Sequence, residues 1–211
     1  MRRIPTALAL IALTATTGTA QATAQFAVGT ASRLWIEGTT NVTGFSCAAT
    51  EVDATVDVDR GFGEDTSLVK HVRAVQVKVP VAALKCGRDQ MDRSLRKALK
   101  ADDSTVTYIV ASLAAEPVDS ADDATLNAVG TLAMAGRENT VRMNVVAVRL
   151  PDGSVEAQGE IPIRMSDFGI TPPTAMLGAV RARDRVIVKF AMKLSPATIA
   201  AVSARCGALP H

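Results

Sequence analysis

Histidine, aromatic residues and cysteine pairs are scarce in this sequence, and each scarcity excludes something. Across 211 residues there are two histidines, His71 and the terminal His211. No H-E-x-x-H, no C-x-x-C and no mixed Cys/His cluster occurs, so the donor sets that hold zinc are missing. A G-x-S-x-G elbow and a Walker A loop are also missing, which removes the common hydrolase nucleophile and the phosphate cradle. Asp167-Phe168-Gly169 spells a kinase tripeptide, but no Gly-rich loop or H-R-D sequence accompanies it. The carboxylate pairs Asp102-Asp103 and Asp122-Asp123 sit in Ser/Ala/Asp-rich connections and read as polar loops. His71, between Lys70 and Val72-Arg73, reads as a surface histidine without a partner. The chain is therefore expected to be no enzyme and to need no metal or cofactor. No dense Lys/Arg stripe with interleaved aromatics is present, so nucleic acid is not an expected partner. The most basic short cluster, Arg181 to Arg185, reads as a solvated loop or turn. Aromatics make up 3% of the chain, so any cavity must be walled by Val, Leu, Ile, Met and Ala.

Long apolar runs are missing too. The N-terminus carries Arg2 and Arg3, an apolar stretch from Ala7 to Ala15, and the small-x-small steps Ala20-Gln21-Ala22 and Ala22-Thr23-Ala24. This is the pattern of a secretory signal peptide over residues 1–24, leaving one domain over 25–211. A membrane span needs about 20 continuous apolar residues, and threonines interrupt this run early. No cysteine sits at the cleavage region, which argues against a lipoprotein anchor. The expected location is periplasmic or secreted. Removal of Arg2 and Arg3 balances basic against acidic residues. Asn41-Val42-Thr43 is a glycosylation sequon.

Three cysteines remain, Cys47, Cys86 and Cys206, and spacing alone allows three pairings. In an oxidising compartment two are expected to pair. Cys47 ends one strand-like run and Cys86 follows another, which favours Cys47–Cys86 and leaves Cys206 free.

What the sequence has in quantity is alternation. "EVDATVDVD" puts Val52, Ala54, Val56 and Val58 on one face and Glu51, Asp53, Thr55 and Asp57 on the other. Such a strand has one dry and one wet side. Val75, Val77 and Val79 repeat the pattern, as do Val141, Met143 and Val145, and Val186, Val188, Phe190, Met192 and Leu194. "LWIEGTTNV", "VTYIVAS", "NAVGTLAM" and "SVEAQGEIPIRM" complete a set of short strands, with Pro151-Asp152-Gly153 as one clear turn. Two segments break the period. Met91, Leu95 and Leu99 fall at i, i+4 and i+8 and predict an amphipathic helix. Ser195 followed by Pro196 predicts a capped C-terminal helix with Ile199, Val202 and Cys206 inside. The predicted class is all-β: an antiparallel barrel of about eight strands, with a short covering helix and a C-terminal helix.

In order and spacing these segments resemble the YceI-like, lipid/polyisoprenoid-binding family with its lipocalin-like barrel. "SRLWIEGTTNVTGF" is similar to the family's opening strand through Ser32, Gly38, Thr39 and Phe45. "AVQVKVPVAALKCGRDQMDRSLRKAL" resembles its strand, Val-Pro step and helix. "AVGTLAMAGRENTV" resembles its hairpin through Gly130, Leu132, Gly136 and Val141. "MSDFGITPP" resembles its late loop, and "VRARDRVIVKF" its final strand, entered through Asp184 and Val186. The likeness runs from Ser32 to Leu194, and Cys47 and Cys86 fit a subset of such proteins. One departure is the helix exit, where Asp102-Asp103-Ser104-Thr105 replaces the His-Pro or Tyr-Pro step of many relatives.

The resemblance implies an exported carrier of an isoprenoid or other long-chain lipid. The expected lumen is formed by Val77, Val79, Val145, Val188, Phe190 and Met192, with Met91, Leu95 and Leu99 covering it and Phe168 at its mouth. Met165, Met176 and Leu177 belong to the same loop, stiffened by Pro172-Pro173. Two rivals stand beside this reading. One is a stress-response or interaction scaffold whose barrel is filled by its own side chains, and the other is an unrecognised hydrolase. A homodimer is compatible with any of them.

Overall fold

The computed structural model describes residues 24–28, 32–59, 68–100, 104–116 and 123–196. Residues 1–23 of the expected signal peptide, Asp102-Asp103, Asp122 and Cys206 lie outside these residues, whereas Ala24 opens the first strand. Twelve strands follow in chain order: β1 (Ala24–Val28), β2 (Arg33–Thr40), β3 (Gly44–Ala49), β4 (Asp53–Val58), β5 (Val72–Pro80), β6 (Leu84–Lys85), β7 (Thr105–Ala115), β8 (Asp123–Met134), β9 (Arg137–Arg149), β10 (Val155–Arg164), β11 (Thr174–Ala175) and β12 (Val180–Pro196). The helix α1 (Asp89–Ala98) follows β6. Every pairing is antiparallel, and the ladder runs β1-β4-β5-β7-β8-β9-β10-β12-β2-β3-β6.

Alternation translates directly into burial. Ala54, Val56 and Val58 are buried while Asp53 is exposed, and Met143, Val145 and Ala147 are buried while Arg142, Asn144 and Val146 are exposed. The Pro151 turn closes as its residues require, with Gly153 at φ 78 and its N–H donated to the Leu150 carbonyl at 2.9 Å. In α1, Asp89 and Asp92 stand in the first turn and Arg96 and Lys97 in the last, the arrangement that complements the helix dipole. Asp92 is buried and accepts the Cys86 N–H at 2.7 Å, which ties the helix start to β6.

The topology matters most along the far edge of β12. Its last residues pair with β1 (Phe26↔Pro196, Ala27↔Ser195, Val28↔Leu194), while its earlier residues pair with β2 from Ala191↔Arg33 to Ala182↔Thr40. From that shared edge the sheet divides. One leaf goes through β1 to β4 and β5 and brings the barrel round on itself. The other goes through β2 to β3 and ends at β6. Where the leaves diverge the barrel is open, and α1 and the disulfide Cys47–Cys86 lie at that opening.

The closed end has its own apolar cluster of Phe26, Val56 and Val58, with Val72, Val75 and Leu194 against it. The expected C-terminal helix begins differently from its sequence pattern. Ser195 and Pro196 continue β12, because β1 offers them a strand edge. Ile199 and Val202 lie outside the described residues. His71 is also corrected: its Nδ1 lies 2.6 Å from Asp59 Oδ1, and Arg73 reaches the other carboxylate oxygen. The partner is twelve residues upstream, across the β4–β5 connection, where local sequence could not place it.

Three of the aromatic residues, Phe45, Tyr108 and Phe190, share one job. At three places a ring covers a glycine on a neighbouring strand. A Cβ on Gly38 would lie 2.3 Å from Phe45 Cζ, one on Gly159 2.8 Å from Phe190 Cζ, and one on Gly130 2.7 Å from Tyr108 Cζ. Glycine lets a curled sheet bend sharply, and the ring restores the contact area that glycine lacks.

Candidate ligand cavity

Cross-strand register sorts the inward side chains into layers. Nearest the closed end, Ala124, Ala147, Ala157 and Met192 stand side by side on β8, β9, β10 and β12. The next layer runs Leu126, Val145, Gly159, Phe190 and Leu34. With the Phe190 ring over Gly159, this layer is filled. Beyond it come Ile161, Val188, Ile36 and Cys47, then Ile163, Val186, Gly38 and Phe45. These two layers do not meet across the barrel. They wall a cavity of about 680 Å³ that opens between the two leaves. That volume lies within the range of about 300–1,000 Å³ typical of small-molecule sites.

The wall is apolar over most of its surface. Leu34 and Ile36 come from β2, Val77 and Val79 from β5, Ile161 and Ile163 from β10, and Val186 and Val188 from β12. Met91, Leu95 and Ala98 of α1 and Leu99 at its C-cap cover one side. The few polar members include Arg88, Gln90 and Ser94, all from the start of α1, and Thr40, Thr43 and Thr174 from the turns at the rim.

Of the residues expected to form the lumen, Val77, Val79, Met91, Leu95, Leu99 and Val188 line this cavity together. Val145, Phe190 and Met192 do not; they belong to the filled layers below it. Phe168 is not at the mouth. It is among the most buried side chains, at 1% exposure. The turn Met165–Phe168 and left-handed Gly169, φ 65, reverse the chain so that Met165 stays on the cavity wall while Phe168 packs into the core. Asp184 anchors this turn by accepting the Ser166 N–H at 2.8 Å and its hydroxyl at 2.6 Å. Those two hydrogen bonds, the hydroxyl's first, hold its carboxyl below the ordinary carboxylate range. Met176 lines the rim, and Leu177 is fully exposed beside it.

Sequence reading missed Leu34, Ile36, Ile161 and Ile163 on this wall, and it missed Tyr108. Tyr108 is 9% exposed, its ring lies over Gly130, and the residue belongs to the cavity wall. Among the described residues the buried Oη has no hydrogen-bond partner. Burial pushes the phenol up to about 12, so at neutral pH it is an uncharged donor. An unsatisfied buried hydroxyl costs roughly 1–3 kcal/mol. Tyr108→Phe keeps the ring on Gly130 and removes that cost, so the delipidated variant is expected to be more stable by about 1 kcal/mol. Thermal unfolding should read this as a rise of about 2–4 °C, and a fall would mean that the hydroxyl has a partner in the folded protein. The only signal in the sequence was the presence of one tyrosine in the chain, inside the apolar strand "VTYIVAS".

A YceI-like domain matches residues 16–194 of this chain. No curated protein matches it. Among solved structures, the chain is similar to BcnA of Burkholderia cenocepacia, with a TM-score of 0.59 at 18% identity over 78% of this chain and 96% of that one. It is similar as well to a polyisoprenoid binding domain from Saccharophagus degradans implicated in plant cell wall breakdown, with a TM-score of 0.60 at 15% identity over 82% and 98%. A Campylobacter jejuni YCEI protein follows with a TM-score of 0.52 at 16% identity over 72% and 84%. At these identities the likeness is one of fold.

Proposed function

The chain belongs to the YceI-like family, and from that premise we propose that it is an exported carrier that holds a polyisoprenoid or similar amphiphilic lipid between the two leaves of its sheet. The observation that carries the reading is the apolar cavity of about 680 Å³ that opens between the two leaves. A polyprenyl tail is hydrocarbon and asks only for apolar walls. Each methylene-sized group it buries contributes about 0.8 kcal/mol before ordering costs. The polar cluster Arg88, Gln90 and Ser94 at one side of the wall suits a head group left near solvent. Export is supported by the signal-like N-terminus and by the Cys47–Cys86 disulfide, which belongs to oxidising compartments. The reading assigns no catalytic group, metal or cofactor. A scaffold with a filled barrel fits the closed half of the molecule but not the open half.

Native mass spectrometry of protein purified without detergent tests the reading. A co-purifying adduct with the mass of an isoprenoid lipid, lost on organic extraction and regained with added polyprenol, is the expected result. A protein that stays at its apo mass with every polyprenol offered would sink it.

A further inference from the structure

Two turns flank the mouth of the cavity, and both carry bare apolar side chains. Val42 stands in the β2–β3 turn at 72% exposure, and Met176 and Leu177 stand between β11 and β12 at 76% and 110%. Val42 and Met176 are also part of the cavity wall, so the exposed patch is continuous with the interior. The turns are fastened to each other. Asn41 donates its backbone N–H to the Arg181 carbonyl at 3.0 Å and its side-chain amide to the Ala179 carbonyl at 2.9 Å. The Arg181 N–H returns a bond to Asn41 Oδ1 at 2.8 Å, and Arg181 Nε reaches the Gly178 carbonyl at 3.0 Å.

The backbone at the tip is unusual for the residues that occupy it. Met176, Leu177 and Gly178 stand consecutively in the left-handed region, at φ 51, 54 and 92. Glycine and asparagine take that conformation readily, and a bulky apolar residue does not. Nothing in the core compensates, because neither Met176 nor Leu177 packs into it. The two turns carry no carboxylate of their own, and the next one along β12, Asp184, is engaged by Ser166. No acidic residue occurs from Asn41 to Gly44 or from Thr174 to Arg183, whereas Arg181 and Arg183 are exposed on β12 and Arg88 lies on the cavity wall.

We infer that the paired turns carrying Val42, Met176 and Leu177 are a membrane-docking tip that seats the cavity mouth on an anionic lipid surface. A few apolar side chains ringed by arginine suit the boundary between head groups and acyl chains. They do not suit a stable protein interface, which engages some 20–30 residues on each partner. Seated in this way, the open end faces the bilayer, and a lipid tail passes between membrane and lumen without crossing water. The direction of that traffic rests on the lipid-carrier reading, whereas the docking itself does not.

Co-sedimentation with vesicles is the test, using phosphatidylcholine alone and phosphatidylcholine mixed with phosphatidylglycerol. The purified protein is expected to sediment with the mixed vesicles and only weakly with the neutral ones. Met176→Asn and Leu177→Asn together keep a residue at ease in the left-handed region, so the turn should fold, yet they remove the apolar side chains. The double variant is expected to bind mixed vesicles at least about tenfold more weakly. The single variant Leu177→Asn, at a fully exposed residue outside the cavity wall, should weaken vesicle binding and still retain a polyprenol at the wild-type level in detergent-free solution. Failure of that retention in the wild type would strike the carrier reading alone. Absence of wild-type vesicle binding, or binding that the double variant leaves unchanged, overturns the docking tip. A wild-type dimer in sedimentation velocity that the double variant dissociates would assign the tip to a second copy and overturn it as well.

Discussion

Replacing Cys47 and Cys86 together by alanine is expected to lower the free energy of unfolding by about 4 kcal/mol. The bond joins residues 39 apart, and closing a loop of that length removes about this much entropy from the unfolded chain. The folded state has little else to hold the same junction. The β3–β6 ladder is two register pairs long, Ala48↔Lys85 and Ala49↔Leu84. Thr50 adds bonds from its N–H and its hydroxyl to the Ala83 carbonyl, at 2.9 and 3.0 Å. β6 is the free end of the open leaf, and α1 begins four residues after it, so the disulfide fixes the edge from which the covering helix hangs. Both sulfur-bearing residues belong to the cavity wall. The variant should therefore show faster amide exchange in α1 as well as a lower urea midpoint, with a steeper slope because its unfolded chain is less compact. A loss below about 1 kcal/mol would mean that the unfolded chain is already constrained, or that the leaf is held elsewhere.

The sequence made the dry faces legible but not the layers. Alternation marks Val145 and Val188 as inward residues of the same kind, and both do face inward. They differ in what stands beside them. Val145 pairs with Gly159, which the Phe190 ring covers, whereas Val188 pairs with Ile36 and Ile161 on the cavity wall. That difference is set by the register between strands distant in the chain, which no local pattern encodes. α1 was readable because its stripe is local: Met91, Leu95 and Leu99 need only the helical period to be found together. Phe168 was misplaced because its position depends on one left-handed residue, Gly169, and not on alternation. The division of the sheet at β12 was also out of reach. It requires one long strand to pair with two partners along a single edge, and β1 and β2 each look like ordinary short strands.

A single substitution separates the hollow half of the barrel from the filled half. Val188→Trp places an indole in the layer Ile161, Val188 and Ile36, all three of which line the cavity. The ring has open volume to enter, so the unfolding free energy should change by less than about 1 kcal/mol, within the range of well-accommodated apolar swaps. The space it takes is space that a lipid tail would occupy. If the tail loses contact worth about three methylene groups, affinity falls by about 2.4 kcal/mol, or roughly fiftyfold. Val145→Trp is the matched control. It inserts the same ring into a layer already filled by Phe190, where overpacking costs about 1–3 kcal/mol. Urea unfolding and titration with a fluorescent polyprenol, run on both variants, should thus give opposite patterns: stability kept and binding lost at position 188, stability lost at position 145. A folded Val188→Trp protein that binds the polyprenol as tightly as wild type would place the lipid outside this cavity. The wild-type chain has one tryptophan, Trp35, whose Nε1 donates to Glu37 beside Lys189, so the new indole's emission can be told apart and should shift to the blue only if it enters an apolar lumen.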